Sequence, residues 1–299
     1  MTKMDALIYS IVQEIHRKTK VSLSPLPTPI NPQISMLPDV KAVIFDIYGT
    51  LLVSGSGDVG TALKTSRREV FRKAIIASGI TEVTEDTAKS AESRFFSEIE
   101  ARHAASRSLG IEHPEVDIID VWKSIFSSLS LFPAESELIR TAVTYEVLSN
   151  PVSQMPGASE LLKHLKSSCI HLGIVSNAQF FTRPLLEYEL CASLEENGFD
   201  MSLCSFSYIA GEAKPSIAIF SPVLRHLSDV YGIVPSQALY VGNDMLNDIY
   251  TASRTGMRTC LFAGDKRSLR MRSDNVLCAK LQPDIVIAEL SQILQVVSP

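Results

Sequence analysis

A doubly wound α/β core interrupted by a large helical insert is the fold class the sequence predicts, and three observations carry it. Apolar runs of strand length recur along the chain with almost no polar alternation, the pattern of parallel strands buried on both faces. Amphipathic helical segments separate the later runs. Between the first run and the second, residues 60–150 show helical periodicity alone.

The elements follow in order. "MDALIYSIVQEIHRKTK" places Leu7, Ile8, Ile11, Val12 and Ile15 at helical spacing, which predicts an amphipathic helix near residues 4–19. "SPLPTPINPQ" then stops it, because proline lacks the N–H a helix interior needs. Residues 1–38 therefore read as a helix plus a Pro-rich, semi-rigid linker. The helix's apolar face needs cover from the main body or from a second subunit, so a homodimer through this helix or through the insert is one arrangement considered. "KAVIFD" (41–46), "IHLGIVS" (170–176), "ALYVG" (238–242), "RTCLF" (258–262) and "PDIVI" (283–287) read as core strands. "GASELLKHLKSS" (157–168) and "SIAIFSPVLRHLSDVYG" (216–232) read as crossover helices. Three regions result: the N-terminal helix and linker (1–38), an α/β core from 39–59 and 151–299, and an all-helical insert over 60–150.

Bulk composition narrows the function classes. With 299 residues, 45% hydrophobic and 20% charged, the chain can bury a large core without metal or disulfide staples. A formal charge of −5 provides no basic footprint for nucleic acid and no attraction to an anionic membrane. Five cysteines, Cys169, Cys191, Cys204, Cys260 and Cys278, form no CxxC pair and suit a reducing compartment. No secretory leader pattern opens the sequence, and no apolar run approaches the ~20 residues of a membrane span. The expectation is a cytoplasmic protein.

In an open parallel sheet, ligands bind beyond the carboxyl ends of the strands. Asp46, Tyr48, Gly49 and Thr50 follow the first strand, and Ser176 and Asn177 end the second. "AGEAKPS" brings Lys214, and "GNDMLND" after the next strand brings Asn243, Asp244 and Asp248. Singly, these residues read as a turn former, a helix cap, a surface cation and ordinary first-turn acids. An acid, a hydroxyl, an ammonium and a carboxylate pair at successive strand ends point together to one reaction site. "GSGDVG" also sets Gly55, Gly57 and Gly60 in the spacing of dinucleotide sites. That motif belongs in a tight strand-to-helix turn with an acid ~20 residues on. Here it lies nine residues past Asp46 and helical sequence follows, so these glycines read as a hinge.

"FDIYGTL", "IVSN", "KPS" and "VGNDMLND" are similar, in this order, to the four motifs of the haloacid dehalogenase (HAD) superfamily of hydrolases. The resemblance covers roughly residues 40–290. It implies a Rossmann-like core with a cap domain where the helical insert stands. It also implies that Asp46 is a nucleophile, that Ser176 and Asn177 bind substrate, and that Lys214 neutralises charge. Most of the superfamily are phosphatases that use Mg²⁺. The implied metal ligands are Asp46, the Tyr48 carbonyl, and an oxygen from Asn243, Asp244 or Asp248. A phosphorylated small molecule is the implied substrate.

Two residues depart from the phosphatase pattern. Tyr48 stands where a second aspartate works as acid and base, and a phenol with a pKa near ~10 is a poor base at neutral pH. Asn243 replaces the first aspartate of the fourth motif, so either Asp244 takes over the metal or Asn243 coordinates through its amide oxygen. Tyrosine after the nucleophile also marks the metal-free 2-haloacid dehalogenases, whose "SSN" motif and arginine segment this sequence lacks. The readings are therefore a phosphatase, a dehalogenase-type carbon-centred hydrolase, and a binding protein with little catalysis. His103, Arg107, His113 and Trp122 in the insert read as packing or surface residues outside the site.

Overall fold

Strand placement in the computed structural model, which describes residues 3–56 and 67–297, follows the apolar runs. In chain order the strands are β1 (Ala42–Phe45), β2 (Leu52–Ser54), β3 (Val152–Gln154), β4 (His171–Ser176), β5 (Phe199–Phe206), β6 (Ala238–Gly242), β7 (Arg258–Phe262) and β8 (Ile285–Ile287). Six of them form one sheet in the order β5-β4-β1-β6-β7-β8, with every pairing parallel. All four residues of β1 are fully buried, as a central parallel strand requires. The chain lays β4 and β5 on one side of β1, then returns to lay β6, β7 and β8 on the other. That reversal puts the carboxyl ends of β1, β4 and β6 around one crevice.

Sequence periodicity did not identify β5. Its burial alternates irregularly along "FDMSLCSF", because an edge strand meets solvent on one side and needs no continuous apolar run. Its register against β4 shifts around Gly173, where a Cβ would run into the Leu203 carbonyl. The crossover expected over 216–232 is also divided. Ser216 caps a 3₁₀ turn at Ile217–Phe220, and a separate helix then runs Ser221–Tyr231. Pro222 suits the first turn of that helix and would break the interior of a longer one.

Helix α1 (Lys3–Thr19) is amphipathic as expected, and its own chain covers the Ile11–Ile15 part of the apolar face while Leu7 stays exposed. Ile11, Val12, Ile15 and His16 are buried where α1 meets the insert and the core, and His16 Nε2 lies 2.7 Å from Glu189 Oε1. The insert holds α2 (Arg67–Ala77), α3 (Glu85–Ser108), α4 (Ile118–Ser128) and α5 (Glu135–Ser149). Thr84 and Asp117 cap α3 and α4 through their side chains. On α4 the buried residues Ile118, Val121, Trp122, Ile125 and Phe126 recur on one face, the stripe that turns a helix inward. Phe71, Phe95, Trp122 and Tyr145 from all four helices meet edge-to-face or tilted, with centroids 4.8–5.8 Å apart. Trp122 is thus a core residue of the insert, and Arg107 pairs with Glu100 on the surface.

Both crossings between core and insert run together. β2 pairs antiparallel with β3, and Gly55 N–H donates to the Pro151 carbonyl at 2.8 Å. Asn150 Oδ1 accepts from the Ser54 hydroxyl at 2.7 Å and from the Ser56 N–H at 3.1 Å. Gly55 therefore sits in this paired segment, and Gly57 and Gly60 lie outside the described residues. Phe71 is fully buried against four other rings, Phe95, Phe96, Trp122 and Tyr145. Phe71→Ala should lower the unfolding free energy by about 3–5 kcal/mol, read as the shift in a urea-denaturation midpoint.

Candidate active site

Asp46 leaves the tip of β1 with its N–H donated to the Val241 carbonyl of β6 at 2.9 Å, which fixes where its side chain begins. The turn that follows needs Gly49. Its φ of +83° is costly for other residues, and a Cβ there would strike Ser268 and the Asn243 amide. Asp46 Oδ1 accepts from the Ser176 hydroxyl at 2.9 Å and from Lys214 Nζ at 2.7 Å. Lys214 Nζ also donates to Asp248 Oδ1 at 2.6 Å and to the Tyr240 hydroxyl at 2.9 Å, and that hydroxyl donates onward to the Val175 carbonyl. Asp248 Oδ2 accepts the N–H groups of Asn243 and Asp244, both at 2.9 Å. Gly242 makes this possible, since a Cβ there would occupy the space of the Asp248 carboxyl.

Lys214, Asp46 and Asp248 are all buried. Burial opposes the ammonium charge, but Asp248 and Asp46 outweigh it and raise the Lys214 pKa. Burial raises the Asp248 carboxyl, and Lys214 pulls it back. Asn177 holds the lysine loop in place. Its Oδ1 accepts from the Lys214 N–H at 2.7 Å and its Nδ2 donates to the Lys214 carbonyl at 3.3 Å.

The residues expected at the strand ends converge, but three of them work differently from expectation. Asp244 caps the π-helical turn Met245–Tyr250, and Arg272 grips its carboxylate at 2.6 Å. Asp248 spends both oxygens on Lys214 and on the two N–H groups. Of the three residues the sequence left open as metal ligands, Asp244 and Asp248 thus have charged or backbone donors on their carboxylates. The Tyr48 hydroxyl meets Thr182 Oγ1 at 3.1 Å. Burial, then the field of Glu146, pushes its pKa well above the ordinary value, so the phenol stays neutral.

No group of three or more His, Cys, Asp or Glu side chains among the described residues is placed to hold a metal ion. The oxygens that fit Mg²⁺ are instead Asp46 Oδ2, the Tyr48 carbonyl and Asn243 Oδ1. Asp46 Oδ2 has no hydrogen-bond partner among the described residues. Asn243 Nδ2 donates to the Ser268 carbonyl at 2.7 Å, which fixes the amide so that Oδ1, bonded by Thr50 Oγ1 at 3.1 Å, keeps a lone pair. Two carboxylates against one ammonium leave the cluster a negative charge in excess, which a divalent cation would offset.

Beside Asn177 opens a cavity of about 240 Å³ between the strand ends and the insert. Phe95, Ile99 and Phe181 line it with apolar surface, and His103, Glu115 and Glu146 supply polar groups.

A family model described as haloacid dehalogenase-like hydrolase matches residues 40–256, more than half of the chain. The chain belongs to this hydrolase family. Among curated relatives, a glyceraldehyde 3-phosphate phosphatase of Pyrococcus furiosus is 30% identical over 143 residues, 48% of this chain and 54% of that protein. Haloacid dehalogenase-like hydrolase domain-containing protein 3 of Xenopus laevis is 34% identical over 107 residues, 36% of this chain and 40% of its own. The chain spans about half the length of the curated relatives it matches. The structure of a 2-haloacid dehalogenase from Pseudomonas syringae superposes with a TM-score of 0.54 at 20% identity, covering 86% of this chain and 97% of that one. That last likeness is one of fold.

Within this HAD hydrolase, sequence reasoning missed Glu115 and Glu146 and set His103 aside. Glu115 accepts from the Ser207 hydroxyl at 2.6 Å, and burial raises its pKa. His103 Nε2 is buried with no partner among the described residues. Burial pushes the Glu146 carboxyl up to about 7, against a lowering bond from Asn150 Nδ2. The one signal in the sequence was an acid in the last turn of a helix, where the macrodipole disfavours negative charge.

A carboxyl raised in the folded state contributes its full share of stability below its unfolded pKa, and loses it as pH rises through the folded value. The loss here develops between pH 4.5 and about 7, and amounts to roughly 3 kcal/mol at 1.36 kcal/mol per unit. Glu146→Gln should therefore stabilise the protein at pH 8 and leave it nearly unchanged at pH 4, as read from thermal midpoints at the two values.

Proposed function

We propose that this hydrolase is a phosphatase that cleaves a small phosphate ester by way of an aspartyl-phosphate on Asp46. The observation that carries it is the buried Lys214 ammonium, 2.7 Å from Asp46 and 2.6 Å from Asp248. An anionic phosphate approaching a carboxylate nucleophile meets repulsion, and a cation fixed in a water-poor site offsets it at no cost of reorganisation. Attack by the carboxylate divides one difficult displacement into two easier ones. Ser176, now donating to Asp46, can turn its proton to a phosphoryl oxygen. Asn177 positions Lys214 through the lysine's own backbone.

Mg²⁺, when bound, would rest on Asp46, the Tyr48 carbonyl and Asn243, and would supply further charge neutralisation at the phosphate. Helices α2–α5 act in this proposal as the cap that selects the leaving group. The name of the Pyrococcus furiosus relative supports a small phosphorylated substrate. No described helix is long and apolar enough to cross a membrane, and all five cysteines are unpaired, which supports a reducing, cytoplasmic setting.

Tyr48 favours a second reading, 2-haloacid dehalogenation. Against it, the sequence has neither the "SSN" motif nor the arginine segment of those enzymes.

Phosphate release from small phosphate monoesters should require Mg²⁺ and fall to background in Asp46→Asn. Chelator-insensitive chloride release from 2-chloropropionate would transfer the assignment to dehalogenation. Asn243→Ala should raise the Mg²⁺ concentration for half-maximal rate by at least about tenfold. An unchanged requirement would remove Asn243 from the metal site.

A further inference from the structure

We propose that Glu146, at the end of α5, is the proton donor to the leaving group and the base that activates water, in place of the aspartate that Tyr48 replaces. The inference rests on the phosphatase reading.

Tyr48 is unsuited to either task, since its phenol is buried, neutral and bonded to Thr182. The alternative must be a titratable group that opens onto the space a leaving group would fill. Glu146 lines the same cavity as Asn177, the neighbour of Ser176. A sphere of about 240 Å³ is roughly 8 Å across, below the usual range for drug-sized ligands, so a leaving group held there stays close to every wall.

The Glu146 carboxyl makes one hydrogen bond among the described residues, from Asn150 Nδ2 at 3.1 Å to Oε1. Oε2 keeps its capacity for a substrate oxygen or a water. The titratable groups sharing the cavity are His103, Glu115 and Tyr145, with Tyr48 close enough to feel the charge of Glu146. A carboxyl near 7 is populated in both forms at neutral pH, which suits a group that must first give and then take a proton.

The proton balance closes over two steps. As an Asp46 oxygen bonds to phosphorus, the bond from phosphorus to the ester oxygen breaks, and that oxygen's electron pair takes the Glu146 proton. The alcohol leaves neutral and Glu146 becomes a carboxylate. Glu146 then takes a proton from water while the water oxygen bonds to phosphorus and the bond to Asp46 breaks. Inorganic phosphate leaves, and both carboxyl groups return to their starting forms.

A purely structural Glu146 would tether Asn150 and, through it, Ser54 and Ser56. Glu146→Gln keeps an acceptor for Asn150 and removes only the acid, so the full-length variant separates the two roles. Two substrates are compared with Mg²⁺ present: ethyl phosphate, whose alkoxide needs a proton to leave, and p-nitrophenyl phosphate, whose phenolate does not. We expect kcat/KM for ethyl phosphate to fall about 10²–10⁴-fold. The loss for p-nitrophenyl phosphate should be far smaller, with a burst of p-nitrophenol marking slow clearance of the phosphoenzyme. Glu146→Asp, which keeps a carboxyl one methylene further back, should show the same bias on a smaller scale. Equal losses on the two esters, or no loss on either, would overturn the role of Glu146 while leaving the phosphatase reading intact. A wild-type protein inactive on both esters would overturn the phosphatase reading and this inference with it.

Discussion

The ammonium of Lys214 is the charge about which the strand ends are arranged. Two carboxylates and a tyrosine hydroxyl surround it out of water, and each is held by a device elsewhere in the fold. Asp46 is tied to β6 through its N–H, and Asp248 is held by two backbone donors that only a glycine at position 242 lets it reach. Asn177 fixes the lysine's own main chain. Removing one partner of such a buried pair typically costs about 3–5 kcal/mol because the other charge is left uncompensated. The arrangement is therefore held as a unit.

That unit explains how the site departs from the family pattern without losing its plan. A neutral amide at Asn243 and a phenol at Tyr48 remove two negative charges from the strand ends, yet the ammonium and its carboxylate partners remain. Asp244 does not make up the deficit, since its charge is neutralised by Arg272 and serves a helix cap. Two acids of the insert, Glu115 and Glu146, line the cavity beside the strand ends, and burial raises the pKa of both.

Much of this was legible in the sequence, for a definite physical reason. Central parallel strands are buried on both faces, so "KAVIFD", "ALYVG" and "RTCLF" announce themselves, and the residue after each strand falls at the crevice by topology. What escaped were properties set by partners distant in the chain. The edge strand β5 lacked a continuous apolar run, and the π-helical turn after β6 looked like an ordinary helix start. Asp244 and Asp248 were interchangeable on paper until Arg272 and Lys214 chose between them. Glu146 carried no motif at all. Its character comes from burial, which no local pattern encodes.

The paired crossings between core and insert have a mechanical consequence. β2 and β3, joined through Asn150 to Ser54 and Ser56, form a single ribbon instead of two independent tethers. The insert is fastened to the core a second time, where Glu115 N–H donates to the Gly211 carbonyl at 3.0 Å and Ala213 N–H donates to the His113 carbonyl at 2.9 Å. It therefore rests like a bridge deck on two piers, and Glu146, one helical turn from Asn150, stands beside the first of them.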